Sequence, residues 1–165
     1  MTSSRSSGSG RASLGIGHSG DVDGIVRLIN AAFLVERFFL DQDRIASEEV
    51  RTRMERGKFI LAEEDQALAG CVYVEPRGER AYLGLLSVDP SRQRSGLGRQ
   101  LMSAAEDHAQ NAGCLCMDLL IVNLRLELPE YYRRLGYLED GTEPFPEEAH
   151  PKLPCHFVKM SKPLV

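Results

Sequence analysis

The order of apolar and polar positions divides this chain into six strand-like and four helix-like segments. Ala12 to Ile16 reads as a first strand. A turn follows in which Ser19 or Asp21 caps a helix, and Val22, Ile25, Val26, Ile29 and Phe33 then share one helical face. A second, charged helix is expected from Glu48 to Arg56, closed by Gly57. Lys58 to Glu63, Ala67 to Glu75 and Ala81 to Val88 form a meander with turns near Glu64-Asp65-Gln66 and Pro76-Arg77-Gly78. Gly98 to Ala112 is a helix whose stripe is Leu97, Leu101, Ala105, His108 and Ala112, with Gly113 as its stop. Leu115 to Val122 is a continuous run, apolar enough for a central strand. Pro129 and Gly136 frame a short helix, Glu130 to Leu135. Asp140 to Pro154 reads as a loop and Cys155 to Ser161 as the last strand.

Composition narrows the classes. A length of 165 residues suits one α/β domain, expected over residues 12–165. Residues 1–11 are Ser-, Gly- and Arg-rich and are expected to be a disordered tail. The net charge is −4 although this tail holds Arg5 and Arg11 and no acid, so the body is more acidic still. That argues against nucleic acid as a partner and suits a cationic one. Apolar runs are too short to span a bilayer, so no membrane partner is expected. The four cysteines and four histidines lack metal-ligand spacing, which predicts no metal, reduced thiols and a cytoplasmic setting.

The stretch from Leu85 to Leu101, LLSVDPSRQRSGLGRQL, carries the chemistry. A strand ends at Asp89-Pro90, a polar loop follows, and Gly96-Leu97-Gly98 opens a helix. Such a loop offers free backbone N–H groups and the positive end of a helix dipole to an anion. Arg92, Arg94 and Arg99 reverse the local sign of an acidic chain. Gly98 is followed by Arg99-Gln100 rather than Lys-Ser/Thr, which excludes a Walker A loop. Leu101 stands where a dinucleotide fingerprint needs its third small residue.

Gln93-Arg94-Ser95-Gly96-Leu97-Gly98 resembles the Gln/Arg-x-x-Gly-x-Gly/Ala signature of the GNAT N-acetyltransferase superfamily, and Val88-Asp89-Pro90 is similar to its Val-x-Pro approach. The resemblance covers about Ala12 to Ser161, most strongly Leu83 to Tyr137. It implies a mixed, mostly antiparallel sheet flanked by helices, with a strand pair that splays to admit acetyl-CoA. It also implies transfer of acetyl to a primary amine of a small molecule or peptide. The pyrophosphate grip falls to Gln93, Arg94, Ser95, Gly96, Leu97, Gly98 and Arg99, and the pantetheine arm lies along the backbone of Leu86, Ser87 and Val88. Tyr132, in Tyr132-Arg133-Arg134-Leu135-Gly136-Tyr137, matches the family's general acid and would protonate the leaving thiolate. Tyr131 points about 100° away.

Two departures stand out. The family often carries Asn seven positions before that tyrosine. Here Arg125 occupies the place and Asn123 lies two residues earlier, as a candidate cofactor contact. Ala81 to Val88 contains no acid, so the general base is left among Glu75, Asp118 and Glu127, or is dispensable for an amine already deprotonated. Acceptor specificity is expected from the first inter-helix segment, with Glu36, Asp41 and Asp43, and from the late loop, with Glu143, Glu147, Glu148 and His150. The cysteines lack a His–acid pattern, which argues against an acyl-enzyme. Edge strands of such a sheet would allow a homodimer. The alternatives are a non-catalytic CoA-binding module and an interaction domain without cofactor.

Overall fold

The computed structural model describes residues 12–93 and 95–165; the tail expected at residues 1–11 and Arg94 lie outside them. Seven strands form one sheet in the order β1-β2-β3-β4-β5-β7-β6. They are β1 (Ser13–Ile16), β2 (Lys58–Glu64), β3 (Ala67–Arg77), β4 (Arg80–Val88), β5 (Cys116–Val122), β6 (Leu138–Pro144) and β7 (His156–Pro163). The helices are α1 (Val22–Ala32), α2 (Ser47–Arg56), α3 (Leu97–Asn111) and α4 (Leu128–Arg134). The expected mixed sheet flanked by helices is therefore the fold. All strand pairs are antiparallel except β4 with β5, which α3 connects as a crossover.

The sheet separates two apolar layers. On one side Leu97, Leu101, Met102, Ala105 and Ala109 of α3 pack on Val72, Val74, Ala81 and Leu83. On the other, Val22, Ile25 and Ile29 of α1 and Val50 of α2 pack on Phe59, Leu61, Cys71 and Tyr73. The α3 stripe is rotated from the expected one: Met102 and Ala109 are buried, while Ala112 is exposed and His108 only half-buried. The β2–β3 turn places both Asp65 (φ 53°) and Gln66 (φ 65°) in the left-handed region, the geometry of a two-residue hairpin whose twist matches its strands.

One strand was not legible as such. β6 occupies the first part of the expected late loop, and every one of its residues is exposed. It pairs only with β7, across a register shift between Glu139 and Thr142. Asp140 to Pro144 reads as loop because the sequence pattern responds to side-chain burial, and an edge strand with no buried face has none.

β4 contains the irregularity that matters for function. Cys71 pairs with Ser87 but Tyr73 with Gly84, so β4 carries one extra residue there. Leu85 sits at φ 57°, a strained left-handed conformation for a leucine. The bulge reverses the strand's sidedness: Ala81 and Leu83 face α3, Leu85 joins the α1–α2 layer, and Leu86 and Val88 face α3. β4 and β5 pair only from Arg80↔Cys116 to Leu83↔Leu119. Beyond Leu83 the two strands part.

The far end of the α3 layer is closed by a polar clamp. Tyr137 Oη donates to Glu106 Oε2 at 2.8 Å, and Lys162 Nζ donates to Glu106 Oε1 at 2.9 Å while lying over the Tyr137 ring. Tyr137 is fully buried. Glu106→Ala strands a buried hydroxyl and its neighbouring ammonium, and is expected to cost about 1–3 kcal/mol. Thermal denaturation should then show a Tm lower by several degrees; an unchanged Tm would show the clamp contributes nothing.

Candidate active site

Where β4 and β5 part, a cleft of about 1030 Å³ opens. Leu83 to Leu86 and Val88 line one wall, Leu119 to Val122 the other. Among the described residues, no strand lies on the edge of Gly84–Val88 that would have paired with β5, so an extended ligand can add there as a strand. Leu86 and Val88 turn side chains toward α3. Ser87 instead is buried away from the cleft, its Oγ donating to the Leu85 carbonyl at 3.0 Å. Within Leu83–Val88 it is Ser87 that does not line the cleft.

The cleft runs to the N-terminus of α3. Gly96 caps that helix at φ 86° with no side-chain cap bond, a conformation glycine adopts without strain. The first helical bond runs from Gln100 N–H to the Gly96 carbonyl at 3.1 Å, so the N–H groups of Leu97, Gly98 and Arg99 have no intrahelical acceptor. Gln93, Ser95, Gly96, Leu97, Gly98 and Arg99 all line the cleft. The loop before them is braced internally. Asp89 Oδ1 accepts from Ser91 N–H at 2.9 Å, and Ser95 Oγ donates to the Arg92 carbonyl at 2.6 Å. Arg92 pairs with Glu64 at 3.0 Å in the β2–β3 hairpin, so this arginine fixes the loop rather than facing the cleft.

The two tyrosines of α4 divide as their 100° separation predicts. Tyr131 reaches the α3 N-terminus, where a Cβ on Gly98 would lie 2.6 Å from its Oη. Tyr132 is only 7 % exposed and lines the cleft, with edge-on contacts to Tyr131 and Tyr137 at 5.0 and 6.1 Å. Burial pushes its phenol well above the ordinary tyrosine range, against a smaller opposing effect of Arg125. The phenol is therefore protonated at neutral pH.

The other end of the cleft is walled by the segment after α1 and the loop after β6. Asn30 holds the former, its Nδ2 donating to the Ile45 carbonyl and its Oδ1 accepting from Ile45 N–H, both at 3.0 Å. Phe39, Phe145 and Phe157 link the two walls through ring contacts of 6.4 and 5.0 Å, and Lys152 N–H donates to the Phe39 carbonyl at 2.7 Å. Glu36, Asp43 and Arg44 line this end, whereas Glu143, Glu147, Glu148 and His150 do not, and Asp41 is paired to Lys152 outside it.

Several sequence expectations for single residues are redirected. Asn123 does not line the cleft: its Oδ1 accepts from His156 N–H at 2.8 Å, joining the ends of β5 and β7. Arg125 lines the cleft in its place. Glu75 and Asp118 also lie off it. Glu75 accepts from Tyr73 Oη and Arg77 Nε at 2.6 and 2.7 Å, and Asp118 is taken by Arg80 and Ser161. Both carboxyls sit below the ordinary range: burial pushes them up, and these partners outweigh it. Burial raises the Cys71 thiol to about 12, which leaves no thiolate for covalent chemistry there. Among the described residues no group of three His, Cys, Asp or Glu side chains could hold a metal, and no helix is long and apolar enough to cross a membrane.

Known proteins place this geometry. A stretch of 136 residues is 29% identical to mycothiol acetyltransferase of Propionibacterium freudenreichii, covering 74% of this chain. The chain spans only 42% of that relative's length. The ribosomal-protein-S18-alanine N-acetyltransferase of Escherichia coli superposes with a TM-score of 0.74 at 17% identity, covering 93% of this chain and 94% of that one. The yncA protein of Salmonella typhimurium, solved with its cofactor acetyl-CoA, gives 0.73 at 18% identity over 94% and 95%. Residues 23–137 match the Acetyltransferase (GNAT) family, and the chain belongs to that family.

Proposed function

We propose that this chain transfers the acetyl group of acetyl-CoA directly to a primary amine of a small molecule or peptide. The observation that carries this reading is the parted β4–β5 seam, which runs from three N–H groups without an intrahelical acceptor at α3 to a buried tyrosine. The α3 N-terminus suits the pyrophosphate, aided by Gln93, Ser95 and Arg99 beside it; Arg94 completes the loop in sequence. The open edge of Leu86–Val88 suits the amide-bearing arm. Tyr132 gives the departing thiolate its proton. Four unbridged cysteines support work in a reducing cytoplasm.

Acetyl-CoA far above its Kd is expected to raise the Tm by several degrees, with pantetheine, which lacks the nucleotide phosphates, giving a much smaller shift. Thiol release on adding an amine would then separate an enzyme from a CoA-binding module. No stabilisation by acetyl-CoA would overturn the reading altogether.

A further inference from the structure

Glu36 differs from each carboxylate that the sequence offers as a base. It lies in the 3-10 turn Phe33–Glu36 that follows α1, lines the cleft, and has a side chain only 8 % exposed. Its Oε2 accepts from Arg125 Nη1 at 2.9 Å, while Oε1 has no hydrogen-bond donor among the described residues. A buried carboxylate oxygen without a donor is costly unless something arrives to donate to it. Glu127, the cleft-lining alternative, is mostly exposed and takes the same arginine's Nε at 2.9 Å.

Arg125 stands between the two ends of the chemistry. Its charge favours the ionised forms of both Glu36 and Tyr132. Burial nevertheless holds the Glu36 carboxyl above its ordinary range, with Glu127 adding to the rise and Arg44 opposing it. From the chain before β7, Cys155 also faces Glu36, whose charge adds to the burial that raises that thiol.

We infer that Glu36 is the acceptor's anchor and base: its free Oε1 receives the primary ammonium and takes the proton that must leave before attack, with Arg125 as the positioning residue that holds it. This assignment rests on the acetyl transfer proposed above. The ammonium gives one proton to Glu36, and the nitrogen lone pair forms the C–N bond at the thioester carbonyl. The C–S bond breaks and its electron pair leaves on sulfur, which takes the Tyr132 proton. The phenolate regains a proton from the acylated nitrogen, and Glu36 releases its own to solvent. The products are an amide, a free thiol and one proton.

The test uses the whole chain, labelled with ¹³C at its glutamate carboxyls and saturated with CoA, and Glu36→Gln identifies the Glu36 signal. Butylammonium chloride should move that signal saturably, and tetramethylammonium chloride, which has no N–H to donate, should not. No movement, or equal movement by both salts, overturns the assignment. With acetyl-CoA and butylamine, Glu36→Gln should lower kcat/KM about 100-fold and erase the acid limb of its pH profile. Arg125→Ala should move the midpoint of that limb upward, because the cation that favours the carboxylate is gone. Stabilisation by acetyl-CoA should survive in Glu36→Gln. Turnover by Glu36→Gln at the parental rate overturns the inference, whereas loss of stabilisation in the parent chain would overturn the acetyl-CoA reading instead.

Discussion

Tyr132→Phe is expected to lower kcat about 1000-fold while leaving the Tm and the affinity for acetyl-CoA close to those of the parent. The ring does the packing: its edge-on contacts with Tyr131 and Tyr137 are retained by phenylalanine. The hydroxyl makes no hydrogen bond among the described residues that the substitution would strand. Only the transferable proton is lost. Rapid thiol-release measurements at saturating acetyl-CoA would read it, with thermal denaturation as the control for folding. A parental kcat would show that Tyr132 serves the core and that solvent protonates the thiolate. Tyr131→Phe makes the useful contrast, because Tyr131 reaches Gly98 and its loss should act on binding rather than on turnover.

The second large effect is expected at the other end of the cleft. Gly98→Glu places a carboxylate at the N-terminal turn of α3, where the N–H groups of Leu97, Gly98 and Arg99 are unengaged within the helix. Its Cβ alone would lie 2.6 Å from Tyr131 Oη, so that side chain must swing away. The carboxylate then competes for the donors that a pyrophosphate needs and repels its charge. Like charges set against each other at a binding site cost several kcal/mol, which corresponds to a Kd for acetyl-CoA raised about 1000-fold. Calorimetric titration would measure it. Binding at the parental Kd would remove the phosphate role from this loop. Gly98→Ala, which brings the collision without the charge, should weaken binding less.

Much of this was legible because it is written in local patterns. The strand–loop–helix passage from Ala81 to Ala112 is marked by an apolar run, Asp89-Pro90, the Gly-x-Gly step and helical spacing, and it lies where those signals put it. The Lys58–Val88 meander is equally local. What stayed hidden depends on long-range contact. β6 has no buried face to impose alternation. The bulge at Leu85 leaves no sequence trace, because leucine is an unremarkable strand residue and its φ of 57° is imposed by pairing with β3. Asn123 and Arg125 look interchangeable in the sequence, but one is consumed by the His156 backbone and the other meets Glu36 across 89 positions of chain. Glu36 itself carries no motif; its setting beside Arg125 joins segments that lie far apart in sequence. Its acidic neighbours Asp41 and Asp43, paired with Lys152 and Arg37, have the same appearance in one dimension.

The parted seam also has a mechanical meaning. Edge to edge, the strands β1 to β4 and the strands β5, β7 and β6 are two half-sheets stitched by four residue pairs, Arg80↔Cys116 to Leu83↔Leu119. A ligand arm lying along Gly84–Val88 would supply missing rungs and act as a removable staple between the halves. Backbone amides of β4 beyond Leu83 should then exchange with deuterium more slowly when acetyl-CoA is bound, while those at the stitched end change little. The molecule would be stiffest when loaded and loosest after the products leave, so cofactor occupancy sets how firmly one half of the fold holds the other.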